Sequence, residues 1–229
     1  MIIVHHLNNS RSQRVLWLLE ELGLDYEVRR YERDAKTMLA PPELKAIHPL
    51  GKSPIIEQCD PGQAPGQGIV VAETGAIMEF LLSLAPGTPL RPEAATDAAR
   101  RFTYWLHYAE GSAMTPLILK LIFGEMAKRA PGLLKPVVKG VSAKAQEGFI
   151  DPQIADHMAW WESELSRSTW FAGDAFTAAD IMMSFPIEAC ASRAPFGADK
   201  PHLVAFLSAI HSRPAYRRAL ERGGPYAYA

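Results

Sequence analysis

Apolar positions along the first 84 residues switch between two periods. Residues 2–7, IIVHHL, are short and rich in β-branched side chains, which predicts a strand. From Ser12 to Leu22 the apolar residues Val15, Leu18, Leu19 and Leu22 fall at i, i+3, i+4 and i+7, one face of a helix that Gly23 stops. In YEVRRY (26–31), Tyr26 and Val28 alternate with charged neighbours, as in a half-exposed strand. These three elements make a βαβ unit, whose crossover should be right-handed. A second strand–turn–strand follows in SPIIEQ (53–58), a Pro/Gly-rich turn over 60–68 and IVVA (69–72), before a helix from Thr74 to about Leu84. The order βαβ, hairpin, helix describes a small mixed sheet with helices on both faces.

Beyond APGTPLRPE (85–93), whose three prolines read as a linker, only helical periods and helix breaks occur. An aromatic-rich pattern through Phe102, Trp105, Leu106 and Tyr108 runs across 94–127, and PGLLKPVVKG interrupts with prolines. Another helix is expected from about Asp151 to Leu165. FTAADIMMSFPIEA opens a further one with Thr177 and Asp180 in capping-box spacing, Asp replacing the usual Glu. The last segment supplies two short helices split at Pro214. The expected organisation is therefore 1–84, a linker at 85–93 and an all-helical unit over 94–229.

Composition narrows the partners. A formal net charge of −1 provides no global field for nucleic acid or an anionic membrane. Cys59 and Cys190 are far apart in the chain and form no CxxC or metal-type spacing, so a reducing, cytoplasmic setting is expected. The longest apolar stretch is broken by Glu73 and Glu79, so no membrane span is expected. His5 and His6 alternate faces of one strand, and no HExxH or His/Cys cluster accompanies them; no metal is expected. Lys128, Arg129, Lys135, Lys139 and Lys144 read as a solvated basic face.

Four local motifs remain. AIHPLGKS (46–53) resembles a phosphate loop only superficially: Ala46 stands where glycine is required, and Pro54 with Ile55 and Ile56 continues into a strand rather than a helix. Proline at a strand's first residue removes no needed donor, so Pro54 has a structural explanation. A cis Ser53–Pro54 bond would also turn Ser53's backbone outward to pair with a peptide. In AETGAI (72–77), Thr74 can cap the helix that follows. Alternatively, Thr74 and the free helix amides can take a carboxylate while Glu73 takes an ammonium group. Ser10 and Gln13 stand in S-x-x-Q spacing, a capping box that uses the serine oxygen as acceptor and leaves its O–H free to donate.

SRSQRV, LEELGLDYE, HPLGKSP, AETGAIMEFL and FTAADI, in this order before an all-helical second half, resemble the cytosolic glutathione transferases, and most closely bacterial and fungal members with a serine-type start. The resemblance covers nearly the whole chain. It implies an α/β thioredoxin-like N-terminal domain (βαβ-ββα), an all-α helical-bundle C-terminal domain, glutathione as co-substrate and a homodimer. By resemblance, Pro54 is the cis-proline whose predecessor Ser53 pairs its backbone with the cysteinyl part of glutathione. Glu73 and Thr74 hold the γ-glutamyl end, Lys52 reaches the glycine carboxylate, and Thr177 with Asp180 is a structural cap. Tyr104 and Tyr108, four apart on one helix face, line the second-substrate pocket.

The catalytic serine falls on Ser10 in one register and on Asn9 in another, with Ser12 a third candidate. No tyrosine ends the first strand and no cysteine lies near residue 10, which argues against tyrosine- and cysteine-type chemistry. A free thiol with pKa ~8.5 needs roughly 2.7 kcal/mol of preference for the anion to reach about 6.5. A hydroxyl donor offers about 1.5–3 kcal/mol and a helix N-terminus up to ~2 kcal/mol, so no general base is required. The implied function is conjugation of glutathione to a hydrophobic electrophile. The alternatives are a glutathione-dependent peroxidase or isomerase, and a non-catalytic glutathione-binding or scaffold protein.

Overall fold

The computed structural model describes residues 1–193 and 196–228. Its first part contains β1 (Ile2–Leu7), α1 (Ser12–Leu22), β2 (Tyr26–Tyr31), α2 (Glu43–Ile47), β3 (Ile55–Gln58), β4 (Ile69–Ala72) and α3 (Thr74–Ser83). The four strands form one sheet in the order β2-β1-β3-β4. β1 runs parallel to β2, as a helical crossover requires, and antiparallel to β3, which forms an antiparallel pair with β4. This is the thioredoxin-like arrangement. The short α2 has no counterpart in the hydrophobic pattern, because only Leu44 of its five residues is buried.

β1 is buried along its whole length, including both histidines. Each finds a hydroxyl: His5 Nδ1 meets Tyr31 Oη at 3.0 Å and His6 Nδ1 meets Ser12 Oγ at 2.8 Å. The β3–β4 turn is closed by the buried Glu57 carboxylate, which accepts the Gly68 N–H at 3.0 Å. At Gly68 a Cβ would lie 2.3 Å from the Gln58 carbonyl oxygen, so the chain tolerates only glycine there.

Two helix starts differ from expectation. The Ser10/Gln13 capping box does not form. Asn9 turns the chain at φ 47°, Arg11 already has helical φ −58°, ψ −16°, and Ser10 Oγ accepts from Ser12 N–H at 3.2 Å. A side-chain cap needs an extended residue at that position, and Arg11 is helical. Likewise Thr74 is not the cap of α3 but its first residue; Glu73 precedes it at φ 71°, ψ 126° without a side-chain cap bond.

The second part is helical: α4 (Asp97–Tyr108), α5 (Met114–Arg129), α6 (Lys135–Ala145), α7 (Asp151–Leu165), α8 (Ala178–Ala191), α9 (Pro201–Ser212) and α10 (Pro214–Gly223). The single pattern expected over 94–127 is two helices joined by a π turn, Ala109–Ala113. The expected interruption near 131–140 is instead the start of α6, because Pro136 lies in the first turn, where no N–H is needed. Thr177 and Asp180 do form their capping box, with Asp180 also accepting the Phe171 N–H at 2.8 Å.

One continuous apolar core joins the two parts, from Ile2 and Val4 in the sheet to Ala219 in α10. α1 is the shared element. Trp17 meets Tyr216 edge-on at 5.0 Å, and the fully buried Arg14 donates to the Met182 carbonyl at 2.8 Å.

Candidate functional site

A cleft of about 240 Å³ opens where the β1–α1 turn, the loop before β3, the β4–α3 junction and the α4–α5 region converge. Arg11, Lys52, Ser53, Glu73, Thr74 and Glu110 line it, with His48, Leu50, Pro54 and Ile118. Larger hollows beside Ser166–Thr169 (about 480 Å³) and beside Met1 and Leu24 (about 620 Å³) gather no comparable set of convergent charges.

The two loops from the thioredoxin-like half bring five of the sequence-derived residues together. The Ser53–Pro54 peptide is cis. Ser53 Oγ donates to the His5 carbonyl at 3.0 Å and accepts from Leu7 N–H at 3.3 Å, which pins the loop to β1. Pairing of β3 with β1 begins only at Ile55, so Ser53's backbone lies outside the ladder. Lys52 is exposed at the rim. Glu73 is also exposed, held at a positive φ that costs about 1–3 kcal/mol for a residue with a Cβ. Thr74 is buried beside it, its Oγ1 accepting from Arg14 Nη2 at 3.5 Å.

The turn after β1 behaves differently. Asn9, Ser10 and Ser12 are not among the cleft's lining residues, whereas Arg11 is. Asn9 Oδ1 accepts the Ala227 N–H at 2.8 Å, tying the turn to the C-terminal tail. Ser10 and Ser12 are buried, with their hydroxyls 2.7 Å apart and Ser12 Oγ on His6 Nδ1. Burial, with the Arg30 charge adding to it, lowers the His6 pKa to about 4, so the ring is neutral at pH 7. The Gly223 carbonyl lies against the same ring and supports the Nε2–H tautomer, leaving Nδ1 as acceptor. Ser12 then donates to His6, and Ser10 donates to Ser12.

Opposite the two loops stands a charge cluster that the sequence reading missed. Glu110, in the π turn, is ion-paired with Arg14 and with Arg11, whose Nε lies 2.9 Å from Glu110 Oε2. Burial raises the Glu110 acid, but Arg14 and Arg11 outweigh it and hold the carboxyl below its ordinary value. Both guanidinium groups lie over the Phe185 ring, at 5.7 and 5.3 Å. Glu110 sits in AEGSA, a run of small residues whose lack of apolar period was the available sign of an irregular turn; such π turns are frequent at functional sites.

Tyr104 and Tyr108 do stack on each other, at 5.5 Å, but they do not line this cleft. Tyr108 Oη meets His157 Nδ1 and accepts from Trp161 Nε1 at 3.1 Å, which sets Tyr108 against α7, while Tyr104 stacks outside it and is exposed. Burial pushes the Tyr108 phenol up to about 12. The α4–α5 region reaches the cleft through Glu110 of the π turn and Ile118 of α5. Among the described residues no group of three or more His, Cys, Asp or Glu side chains could hold a metal ion, and no helix is long and apolar enough to cross a membrane.

Comparison with known proteins bears on this geometry. Residues 1–83 match the family model described as the glutathione S-transferase N-terminal domain, and residues 132–221 match that of the C-terminal domain. Glutathione S-transferase 1 of Saccharomyces cerevisiae is 33% identical over 97% of this chain and 95% of its own length. Glutathione S-transferase 3 of Schizosaccharomyces pombe is 30% identical over 97% and 88%. The crystal structure of a glutathione S-transferase from Actinobacillus pleuropneumoniae superposes with a TM-score of 0.75 at 32% identity, covering 99% of this chain and 94% of that one.

Proposed function

This chain belongs to the glutathione S-transferase family, and on that premise we propose that its cleft binds glutathione, favours the thiolate and conjugates it to a hydrophobic electrophile. The observation that carries this reading is the convergence of Lys52, Ser53, Glu73 and Thr74 on one cleft that also holds an arginine. Glutathione has a glycine carboxylate, a peptide backbone at cysteine, and a γ-glutamyl end carrying both carboxylate and ammonium. Lys52 suits the first and Ser53's unpaired backbone the second. The buried Thr74 with the α3 amides, and the exposed Glu73, suit the two charges of the third.

In the reaction the thiol S–H bond breaks and its proton passes to water. The sulfur then forms a C–S bond, displacing a leaving group or adding across a polarised double bond, with most of the gain coming from proximity. The Asn9–Ser12 turn at the N-terminus of α1 is the source of anion stabilisation. Within it Ser10, Asn9 and Ser12 are the sequence's candidates for the donor, and Ser10 would have to exchange its bond to Ser12 for one to sulfur. Residues 1–84 form the glutathione domain, 94–229 complete the second-substrate side, and the protein works as a cytoplasmic homodimer.

Calorimetric titration with glutathione tests the site. Glu73→Gln is expected to weaken binding by roughly 10–100-fold, the loss of a charge-assisted bond of about 1.5–3 kcal/mol. Equal affinity in parent and variant refutes the assignment of Glu73. Assay of the parent with aryl halides, unsaturated carbonyls and peroxides distinguishes conjugation from reduction; tight binding with no turnover on any of them leaves a binding protein.

A further inference from the structure

We propose that the guanidinium of Arg11, rather than a hydroxyl of the neighbouring serines, is the group that holds the bound glutathione sulfur as thiolate. The inference rests on the glutathione reading and sharpens it to one side chain.

The first ground is unused donor capacity. The Arg11 guanidinium has five N–H donors, yet its side chain makes no aligned hydrogen bond among the described residues: its Nε is buried and ion-paired with Glu110 at 2.9 Å but is not aligned to donate. Its side chain is 29% exposed and lines the cleft, so the remaining donors are available to a ligand there. Ser10 and Ser12 present the opposite picture. Both are buried, and the neutral His6 ring draws their hydroxyl protons inward along the chain Ser10, Ser12, His6.

The second ground is charge. Two guanidiniums, Arg11 and Arg14, share one carboxylate, Glu110, in a partly buried cluster. The cluster therefore carries one net positive charge, which its Phe185 floor disperses but does not cancel. Around the rest of the cleft, Lys52 and Glu73 are matched by the glycine carboxylate and the ammonium of glutathione, and His48 bonds the Leu50 N–H at 3.4 Å. The γ-glutamyl carboxylate is left to Thr74 and the α3 amides. The charge only partly matched is Arg11's, which has to share Glu110 with Arg14, and the atom of glutathione still missing a partner is sulfur. On ionisation the S–H proton goes to solvent, the electron pair stays on sulfur, and the cluster becomes neutral.

The test is the pH titration of thiolate absorbance of glutathione bound to the parent, Arg11→Met, Arg11→Lys and Ser10→Ala, with affinity measured in parallel by calorimetry. Arg11→Met removes the charge at similar length, and the bound thiol's pKa is expected to rise by roughly 1–3 units, the shift that an opposite charge within ~4–6 Å produces. Arg11→Lys should restore most of it. The acid limb of the kcat/KM profile should move with the thiol, while glutathione affinity at a pH below both thiol pKa values changes little. An unmoved thiol pKa in Arg11→Met with glutathione bound overturns the assignment. So does a rise in Ser10→Ala as large as that in Arg11→Met, which gives the role to the hydroxyl. Failure of the parent chain to bind glutathione overturns the site reading itself, and is seen in the calorimetry before any pKa is compared.

Discussion

His6 shows how a single residue links the cleft turn to pH. The folded protein keeps the ring neutral, with its pKa lowered to about 4, whereas the unfolded chain takes up a proton near the ordinary histidine value of 6.5. Between those values the unfolded state binds more protons, so this residue's contribution is fully present above pH 6.5 and is lost as pH falls through about 4. The shift corresponds to roughly 3 kcal/mol. Asp180 works against it. Burial pushes its acid up to about 7 despite the hydrogen bonds it accepts from Phe171, Thr177 and its own N–H, so its own contribution declines as pH rises over much of the same window. The two terms separate by difference. His6→Asn keeps an acceptor for Ser12, and its urea stability should fall less than the parent's between pH 7 and pH 4.5. Equal losses in the two proteins would exclude His6 as the origin.

Elements were legible where one local force decides them. The period of α1, the β-branched β1 and the Thr177–Asp180 box appear in the structure because burial on one face, or a cap with its own acceptor, suffices. The capping box also carries a measurable energy. Asp180→Ala removes the acceptor of both the Phe171 and the Thr177 backbone N–H groups, each buried and 2.8 Å from its oxygens. Two orphaned donors should cost about 2–5 kcal/mol, and Asp180→Asn, which keeps one acceptor oxygen, should cost less. A chemical denaturation midpoint that Ala shifts no further than Asn would rule this out. The π turn at Ala109–Ala113 was not legible, since it is set by where α4 and α5 must lie together rather than by its own residues. The consequence reached the site. Tyr104 and Tyr108 share a helix face as their spacing requires, Tyr108 reaching α7 while Tyr104 stays exposed, and Glu110 enters the cleft from a run whose one sequence sign is its lack of apolar period. Arg11 was passed over for a related reason: the S-x-x-Q pattern draws attention to Ser10, while the positive φ of Asn9 that rotates Arg11 into view is a property of the folded turn.

At the scale of the whole molecule, the cleft exists only while its two sides stay in register. Lys52, Ser53 and Glu73 come from the sheet half, and Glu110 and Ile118 from the helical half. Ion pairs cross the boundary, with Arg213 on Glu21 at 2.6 Å and Arg218 on Glu20 at 2.7 Å. Their arginines are partly exposed, and such pairs contribute only about 0–1 kcal/mol each. The stronger bond is apolar: one core runs through both halves, with Trp17 set against Tyr216 inside it. Burial of that kind is not screened by salt, whereas surface ion pairs are. Thermal unfolding followed by far-UV circular dichroism and by tryptophan fluorescence should therefore give one coincident transition, with high salt changing stability by no more than ~2 kcal/mol. Two separated transitions, or halves that part when salt is raised, would show the boundary to be electrostatic. A single transition would mean that loosening either half opens the cleft and unfolds the chain together, so glutathione, by binding only the folded cleft, should raise that one midpoint as its concentration exceeds its Kd.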